Sequence, residues 1–341
     1  MKKKYSQQEI AAALNVSRGT IDRVLHNRGG IGAETTRRVK EYLEQLEYTP
    51  NKVGQGLSKK LNRKITFIYH VPENEFFAEI QRGIDTAVHE YGDFGFSVQA
   101  KFTNRSTEEQ IRLIEQEVEN GADAIAVSAF EPDKLVDAIN RAVRRGVPVV
   151  TFNNDVPASD RLFYVGTDYY QSGRVAGELM NKIVKRGKIA VLLGLGNDWQ
   201  VSIRLQGFKD VLSHNPHIQI VEKHIGTLPR TETSYQAAVE AIQEGADAIF
   251  PLQAGVRGIV QAKRELEASH VDMLIYDLRS LTKAHLQDGS ITAVIGQSPF
   301  YQGYYPVKLL FGYFFEGTIP SQKVYFTRLD IVMKENIAED W

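Results

Sequence analysis

Apolar positions follow two different periods along this chain, and the change comes at about residue 64. Before that point they recur every three or four residues, as on the buried face of an amphipathic helix. After it, apolar runs of five to seven residues alternate with stretches of helical period. Such alternation is typical of doubly wound parallel sheets. The pattern therefore predicts an all-α N-terminal part followed by a larger α/β body.

The segment SQQEIAAALNVSRGTIDRVLHN predicts two short helices joined by a tight turn. Ser17 is placed to cap the second helix. The polar side chains of that helix point away from its apolar stripe, as in a helix-turn-helix whose second helix enters a DNA major groove. An ordinary helical corner with a solvated basic face is the alternative. The side chains that we expect to pack inward are Ile10, Ala13 and Leu14 from the first helix, and Ile21, Val24 and Leu25 from the second. A third helix is predicted from Ala33 to about Glu47.

Charge divides the chain at the same place. Residues 1–64 hold 14 Lys plus Arg and 6 Asp plus Glu, a net charge of +8. The remainder holds 27 basic and 36 acidic residues, a net charge of −9, so the total of −1 conceals the asymmetry. A basic end joined to an acidic body is typical of a protein with one part that meets a polyanion. The coincidence of the basic end with the helix-turn-helix pattern favours DNA as the partner.

Composition narrows the class of protein. The chain of 341 residues has no cysteine, which excludes disulfides and cysteine metal sites. No secretory signal and no membrane-spanning run is found, so we expect a cytoplasmic protein that does not contact a membrane. No dinucleotide fingerprint, Walker motif, zinc-ligand cluster or nucleophile elbow is present. We therefore expect no enzyme activity, no catalytic residues, no metal and no cofactor.

A short repeat divides the α/β body into two similar halves. The sequence Gly-Ala-Asp-Ala-Ile occurs at 121–125 and again at 245–249, each time between a helix and a strand. Two facing sheets would surround one cleft with the carboxyl ends of their strands, where such sheets bind ligands. Strands are predicted at 65–69, 97–102, 124–129, 147–152, 188–195, 218–225, 248–252, 273–277 and 291–296, with helices between the first four at about 76–91, 107–119 and 133–145.

These residues resemble the LacI/GalR family of bacterial transcription regulators over essentially the whole chain. The motif NVSRGTIDRVLHN is followed by TTRRVKEYLEQLEYTPNKVGQGL, as in that family. The resemblance implies a DNA-binding domain at 1–49, a hinge at 50–63 that folds on operator DNA, and an effector-binding and dimerisation domain at 64–341 with the chain crossing between two subdomains. It implies DNA contacts from Ser17, Arg18, Gly19, Thr20, Arg23, Asn27, Asn51 and Leu57.

Within that set, Leu57 is expected to wedge between bases in the minor groove, although a flexible linker leucine is the alternative. Arg18 is expected to carry the main base readout, because arginine recognises guanine and Gly19 has no side chain to read with. Three positions depart from the family pattern, namely Asp22, His26 and Gly54. The last should make the hinge costlier to fold on DNA.

The body resembles the periplasmic sugar-binding fold of ribose-binding proteins, here with two doubly wound parallel sheets. The resemblance implies effector contacts from Phe77, Asn153, Asn154, Arg204, Gln253, Asp277 and Gln297, with Trp199 and Asp155 beside them. Aromatic rings, amides, carboxylates and guanidinium groups suit a sugar or other polyol, with or without a phosphate. Three alternatives stay open: the two asparagines as turn residues, Asp277 as a helix cap, and Phe76 or Phe77 as ordinary core.

We therefore expect a homodimeric, sequence-specific DNA-binding regulator, acting as a repressor on double-stranded operator DNA under control of a small effector. A solute-binding protein without a transcriptional role is the alternative. Neither the effector itself nor the sign of its effect can be derived from the sequence.

Overall fold

The computed structural model describes residues 7–25, 29–46, 62–70, 74–104, 106–194, 199–225, 231–253 and 255–337. The chain forms two compact units, residues 1–61 and residues 62–341. In the described residues no helix is long and apolar enough to cross a membrane. Among the same residues no group of three or more His, Cys, Asp or Glu side chains is placed to hold a metal ion.

The described residues of the first unit form three helices, α1 (Gln7–Leu14), α2 (Arg18–Leu25) and α3 (Ala33–Gln45). Their shared core confirms the predicted stripes with one correction: Ala13 is exposed and Ala11 is buried in its place. Ala11 lies three residues before Leu14, so it shares the face of α1 that meets the other two helices. The buried side chains of this core are Ile10, Ala11, Ile21, Val24, Val39 and Leu43.

The second unit consists of two α/β lobes, each built on a six-stranded sheet. The first sheet has the order β11-β5-β4-β3-β1-β2 and the second the equivalent order β12-β10-β9-β8-β6-β7. All described pairings are parallel except that β12 runs antiparallel to β10. The strands are β1 (Arg63–His70), β2 (Phe96–Thr103), β3 (Ala124–Val127), β4 (Val149–Phe152), β5 (Tyr164–Gly166), β6 (Gly187–Leu193), β7 (Ile218–His224), β8 (Ala248–Pro251), β9 (Asp272–Tyr276), β10 (Ala293–Gly296), β11 (Val324–Phe326) and β12 (Asp330–Val332).

The predicted two-lobed α/β fold is confirmed, and all nine predicted strands are present. Strands β5, β11 and β12 were not predicted, because three residues are too few to show a period. The helices of this unit are α4 (Glu75–Tyr91), α5 (Thr107–Glu119), α6 (Pro132–Arg144), α7 (Tyr169–Val184), α8 (Trp199–Leu212), α9 (Thr231–Gln243), α10 (Val256–Glu265), α11 (Ser280–Gln287) and α12 (Pro299–Phe311).

The chain passes between the lobes three times. Helix α7 follows β5 of the first sheet but packs on α8 of the second lobe. Helix α12 follows β10 of the second sheet but packs on α4 of the first lobe. The third passage joins β11 to β12, which lie in different sheets. Each lobe is therefore completed by a helix whose preceding strand belongs to the other lobe.

The repeated Gly-Ala-Asp-Ala-Ile sequence performs the same structural task in both lobes. Oδ2 of Asp123 accepts a hydrogen bond from the Lys64 backbone N–H at 2.8 Å, and Oδ2 of Asp247 accepts one from Lys188 at 2.8 Å. In each case the aspartate fastens the start of a central strand, β3 or β8, to the start of its neighbour, β1 or β6. The repeat therefore marks equivalent joints in two similar halves.

Helices α4 and α12 touch through their backbones, because two glycines lie at the contact. A Cβ atom on Gly83 would lie 2.0 Å from the Phe300 carbonyl oxygen, and one on Gly303 would lie 2.0 Å from the Ile80 carbonyl oxygen. Atoms that close cannot coexist, and a backbone oxygen in a packed helix cannot move aside cheaply. Any other residue at either position would force the two helices apart.

Gly303→Ala should therefore lower the free energy of unfolding by about 2–3 kcal/mol, the upper part of the range for overpacked interiors. Gly312→Ala is the matched control. Gly312 has a helical φ of −57°, and an added Cβ would meet no atom closer than 3.9 Å. That change should be neutral or stabilising by up to about 1 kcal/mol. Urea unfolding of the two variants measures the difference, and equal stabilities would contradict the backbone contact.

Candidate functional site

The outward face of α2 is polar, and its first turn is fixed by a cap. Oγ of Ser17 accepts a hydrogen bond from the backbone N–H of Thr20 at 3.0 Å and lies 2.9 Å from Oγ1 of Thr20. The predicted N-cap is therefore present. Ser17, Arg18 and Arg23 are exposed, and the buried side of α2 holds Ile21 and Val24. This is the arrangement by which a helix-turn-helix presents the start of its second helix.

Gly19 is exposed, and a Cβ atom there would meet only Ser17 Oγ at an ordinary 3.6 Å. The surface at this point is therefore flat, as the sequence indicated. The other predicted DNA contacts, Asn27, Asn51 and Leu57, lie outside the described residues, as do His26 and Gly54.

The second lobe contains a connected network of three predicted effector residues. Arg204 of α8 donates to Oε1 of Gln297, and Gln297 Nε2 donates to Oδ1 of Asp277 at 2.5 Å. Nε of Arg204 also lies 3.4 Å from Ser172 Oγ on α7. Asp277 directly follows β9 and Gln297 directly follows β10. These are carboxyl ends of parallel strands, where ligands of doubly wound sheets bind.

The guanidinium group of Arg204 is held between two tyrosine rings. Its carbon lies 4.0 Å from the centroid of the Tyr276 ring and 4.8 Å from that of Tyr169. Rings at these distances stabilise a buried cation, and no ion pair to Arg204 is present among the described residues. Burial also raises the pKa of the Tyr276 hydroxyl above its ordinary value, so this tyrosine stays neutral beside the cation. The two rings and the hydrogen bonds to Gln297 and Ser172 thereby fix the position of Arg204.

Tyr169 connects this network to the first lobe. Its hydroxyl donates to the carbonyl oxygen of Asn153 at 2.7 Å and lies 3.3 Å from Oδ1 of Asn154. The structure therefore brings both asparagines, which follow β4, to the same place as Arg204 and its partners. Their amides also serve the fold: Asn153 Nδ2 donates to Ser128 Oγ at 3.2 Å, and Asn154 Nδ2 donates to the Ala129 carbonyl at 2.8 Å. Asn153 has a φ of +56°, so it is a turn residue as well as a site candidate.

The aromatic candidates occupy different surroundings. Phe77 and Phe76 are both buried, and Phe77 stacks on Tyr69 with ring centroids 5.6 Å apart. Trp199 is 39% exposed and meets Tyr169 edge to face at 5.9 Å. Phe130, 37% exposed just beyond β3, was not predicted. Trp199, which begins α8, and Phe130, which follows β3, are thus exposed aromatic rings, whereas a ligand contact by Phe77 stays a prediction.

Gln253 and Asp155, two further candidate residues, differ in what surrounds their side chains. Gln253 lies against the end of β6, since a Cβ on Gly194 would come within 2.0 Å of its Oε1. Asp155 is not placed to join the site. Its carboxylate forms a buried ion pair with Arg161, whose Nη2 lies 2.6 Å from Oδ2, and also accepts from Thr151 Oγ1 at 2.6 Å. Because Arg161 neutralises it inside the first lobe, Asp155 is a structural residue.

The sequence missed Tyr169, Tyr276 and Ser172. Tyr276 directly precedes Asp277 at the end of β9, but the pattern of apolar and polar residues along a strand does not distinguish a tyrosine in the core from one that lines a cleft. Tyr169 begins the helix after β5, and without that strand its place at a lobe crossing could not be recognised. Ser172 faces Arg204 only because the chain crosses to the second lobe after β5 and α7 packs there on α8, which local sequence does not encode.

Each of the two units is similar to a known protein family. Residues 7–51 match bacterial regulatory proteins of the lacI family, and residues 65–315 match the periplasmic binding protein domain. The chain is similar to the xylose/arabinose-binding protein XylF of Sulfolobus acidocaldarius, with 25% identity over 75% of this chain and 67% of that protein. It is similar to catabolite control protein A of Streptococcus mutans, with 23% identity over 71% of each.

Among solved structures, the chain is similar to a transporter solute-binding protein from Burkholderia graminis in complex with D-arabinose. The TM-score is 0.74 and the identity 25%, covering 82% of this chain and 97% of that one.

Arg204→Met should destabilise the second lobe by about 1–3 kcal/mol, because it leaves buried oxygens of Gln297 and Ser172 without their donor. Arg174→Met is the matched control, since Arg174 also lies over a tyrosine ring, that of Tyr170 at 5.8 Å, but is half-buried outside the network. Chemical denaturation compares the two variants. A smaller loss from the Arg204 change than from the control would refute a network role for Arg204.

Proposed function

The chain belongs to the periplasmic binding protein domain family and carries a DNA-binding domain of the lacI family, and we propose that a sugar or related polyol in its cleft controls its action as a transcriptional regulator. One observation carries this proposal, namely that both family matches, residues 7–51 and 65–315, lie in one chain. A solute-binding protein without a transcriptional role would not need the first. We propose repression as its action, and a cytoplasmic location follows from the DNA partner.

On the DNA side, we propose that α2 enters the major groove and that Ser17, Arg18, Gly19, Thr20 and Arg23 contact the operator. The cap on Thr20 supports this, because it leaves the exposed first turn rigid. A homodimer would place two such helices on a palindromic site. Asn27, Asn51 and Leu57 belong to the same proposal by resemblance.

On the effector side, charge balance favours a neutral polyol over a phosphorylated one. Arg204 and Asp277 supply one positive and one negative group to the same network through Gln297. Hydroxyl groups both donate and accept, so vicinal hydroxyls can satisfy such a mixed set. A phosphate would gain from Arg204 but would be repelled by Asp277. Phe77, Asn153, Asn154 and Gln253 complete the proposed contacts.

The relatives guide the choice of sugar. XylF of Sulfolobus acidocaldarius binds xylose or arabinose by its name, and the Burkholderia graminis structure holds D-arabinose. We propose a pentose or a polyol of similar size for this chain. The effector can change DNA affinity only by the ratio of its affinities for the two states of the body.

Thermal shift with D-xylose, L-arabinose, D-arabinose, D-ribose and myo-inositol tests the effector. Specific binding should raise the Tm by mass action, and Arg204→Met should weaken that binding at least tenfold while Arg174→Met leaves it unchanged. A hit with ribose 5-phosphate and none with the neutral compounds would overturn the charge-balance argument.

Removal of residues 1–61 separates the two activities. The remaining body should keep its sugar affinity within about twofold and lose binding to DNA selected from a random library by the full chain. Retained sequence-specific DNA binding by that fragment would refute the assignment of DNA recognition to the first unit. Full-length protein that enriches no DNA would favour the solute-binding alternative.

Arg18→Ala should weaken binding to the selected DNA by about 1–3 kcal/mol and relax its preference at one base pair per half-site. Arg37→Ala is the matched control, since Arg37 is exposed on α3 and pairs with Glu41. Competition assays with singly substituted duplexes measure both effects. Uniform weakening on all sequences would reduce Arg18 to a phosphate contact.

A further inference from the structure

We propose that α12, together with the turn of π-helix that continues it (Gly312–Glu316), couples the cleft network to Arg63, where the chain enters the body from residues 1–61. This proposal rests on the proposed function, because it concerns how a ligand signal leaves the cleft. Arg63 is the first residue of β1 and the second residue of the body. Whatever displaces it displaces the point at which the DNA-binding unit is attached.

Gln297 lies between β10 and α12, two residues before the helix starts, and it has two separate roles. Its side chain joins Arg204 to Asp277 within the network. Its carbonyl oxygen accepts from Gln302 Nε2 at 3.0 Å and from Thr327 Oγ1 at 2.9 Å. Gln302 lies on α12 and Thr327 on the third lobe crossing. A ligand that displaces the Gln297 side chain therefore acts directly on the start of α12.

The middle of α12 is able to transmit such a displacement. It has 13 residues, so it is roughly 20 Å long at about 1.5 Å per residue. Pro306 lies inside it, yet the helix continues to Phe311. At Gly83 and Gly303 the two backbones are in direct contact, so at these points no side chain lies between α12 and α4 to absorb a small shift. The two helices should therefore move as one piece.

Aromatic rings pack at the far end of α12, and one ring of the π-helical turn that follows contacts Arg63. Phe311 stacks on Tyr91 with ring centroids 4.4 Å apart, and the Arg63 guanidinium lies 5.0 Å from the centroid of the Phe314 ring. Nη1 of Arg63 also donates to Oδ1 of Asp123 at 2.5 Å. Arg63 thus meets α12's extension on one side and the central β3 joint on the other. A shift of Phe314 against that joint changes the packing of Arg63.

Three quantities test this route in the full-length protein: the Kd for sugar, the Kd for the selected DNA without sugar, and the factor by which saturating sugar changes the second. The sugar probe is whichever of D-xylose, L-arabinose, D-arabinose or D-ribose gives the largest Tm shift. Phe314→Ala should leave both affinities within about twofold of wild type and lower the coupling factor at least threefold.

Two further variants make the test specific. Tyr313→Ala is the matched control, because Tyr313 is half-buried in the same turn and its ring packs on Phe314 rather than on Arg63. It should keep the wild-type coupling factor. Arg63→Lys keeps a cation beside Asp123 but lacks the flat guanidinium that lies over Phe314, so it should reproduce the effect of Phe314→Ala.

The possible outcomes distinguish a failure of the α12 route from a failure of the proposed function. If Phe314→Ala and Arg63→Lys keep the wild-type coupling factor, the α12 route is wrong but the proposed function stands. The same conclusion follows if Tyr313→Ala lowers the coupling factor as much as Phe314→Ala does. A wild-type protein whose DNA affinity ignores every sugar that it binds overturns the proposed function and this route with it. Selective loss of coupling in the two variants, with both affinities kept, supports the route.

Discussion

The carbonyl oxygen of Gln297 is the constraint on which the arrangement of the body depends. It accepts hydrogen bonds from the second and third passages between the lobes, through Gln302 and Thr327. Gln302 also lies 3.4 Å from Thr167 on the first passage. All three connections therefore meet around one backbone group, while the side chain of the same residue joins Arg204 to Asp277. The backbone of Gln297 holds the connections between the lobes together, and its side chain lies in the candidate site. The lobe connections and the candidate site therefore cannot easily move independently of each other.

Buried charge is used in two ways in this body. Glu117 is completely buried but accepts from Lys101 and Thr66 at 2.7 Å each. Burial alone would raise the pKa of its carboxyl, yet these bonds hold that pKa below its ordinary value. Asp155 and Arg161 form a second buried ion pair, in which Nη2 of Arg161 donates to Oδ2 of Asp155 at 2.6 Å. Arg204 differs, because its neighbours are two aromatic rings, a serine and an amide. Among the described residues Arg204 has no direct carboxylate partner, so aromatic faces and neutral polar groups surround this cation in place of a counter-charge.

Hydrophobic periodicity predicted the fold well, because strands of four or more buried residues and helices of three turns carry a clear signal. It failed at β5, β11 and β12, which are short and lie at the lobe crossings. Of the candidate site, Asn153, Arg204, Asp277 and Gln297 could be found by resemblance, since each stands beside a predicted strand or in a recognisable motif. Tyr169 could not, because its role depends on which lobe α7 packs against. The sequence also could not show that Asp155 is paired inside the first lobe. Its partner, Arg161, lies six residues away in a segment without regular structure.

The interleaving of the two lobes also bears on how the protein is made. The first sheet takes its last strand, β11, from residues 324–326, and helix α4 receives its partner α12 only from residues 299–311. During synthesis from the N-terminus, the first lobe therefore lacks its edge strand β11 and the helix that packs on α4. It can be completed only after the second lobe has been synthesised. The three-helix unit has no such dependence, since its core is drawn from residues 10–46. We expect that unit to fold first, and the two lobes to complete one another in a single late step.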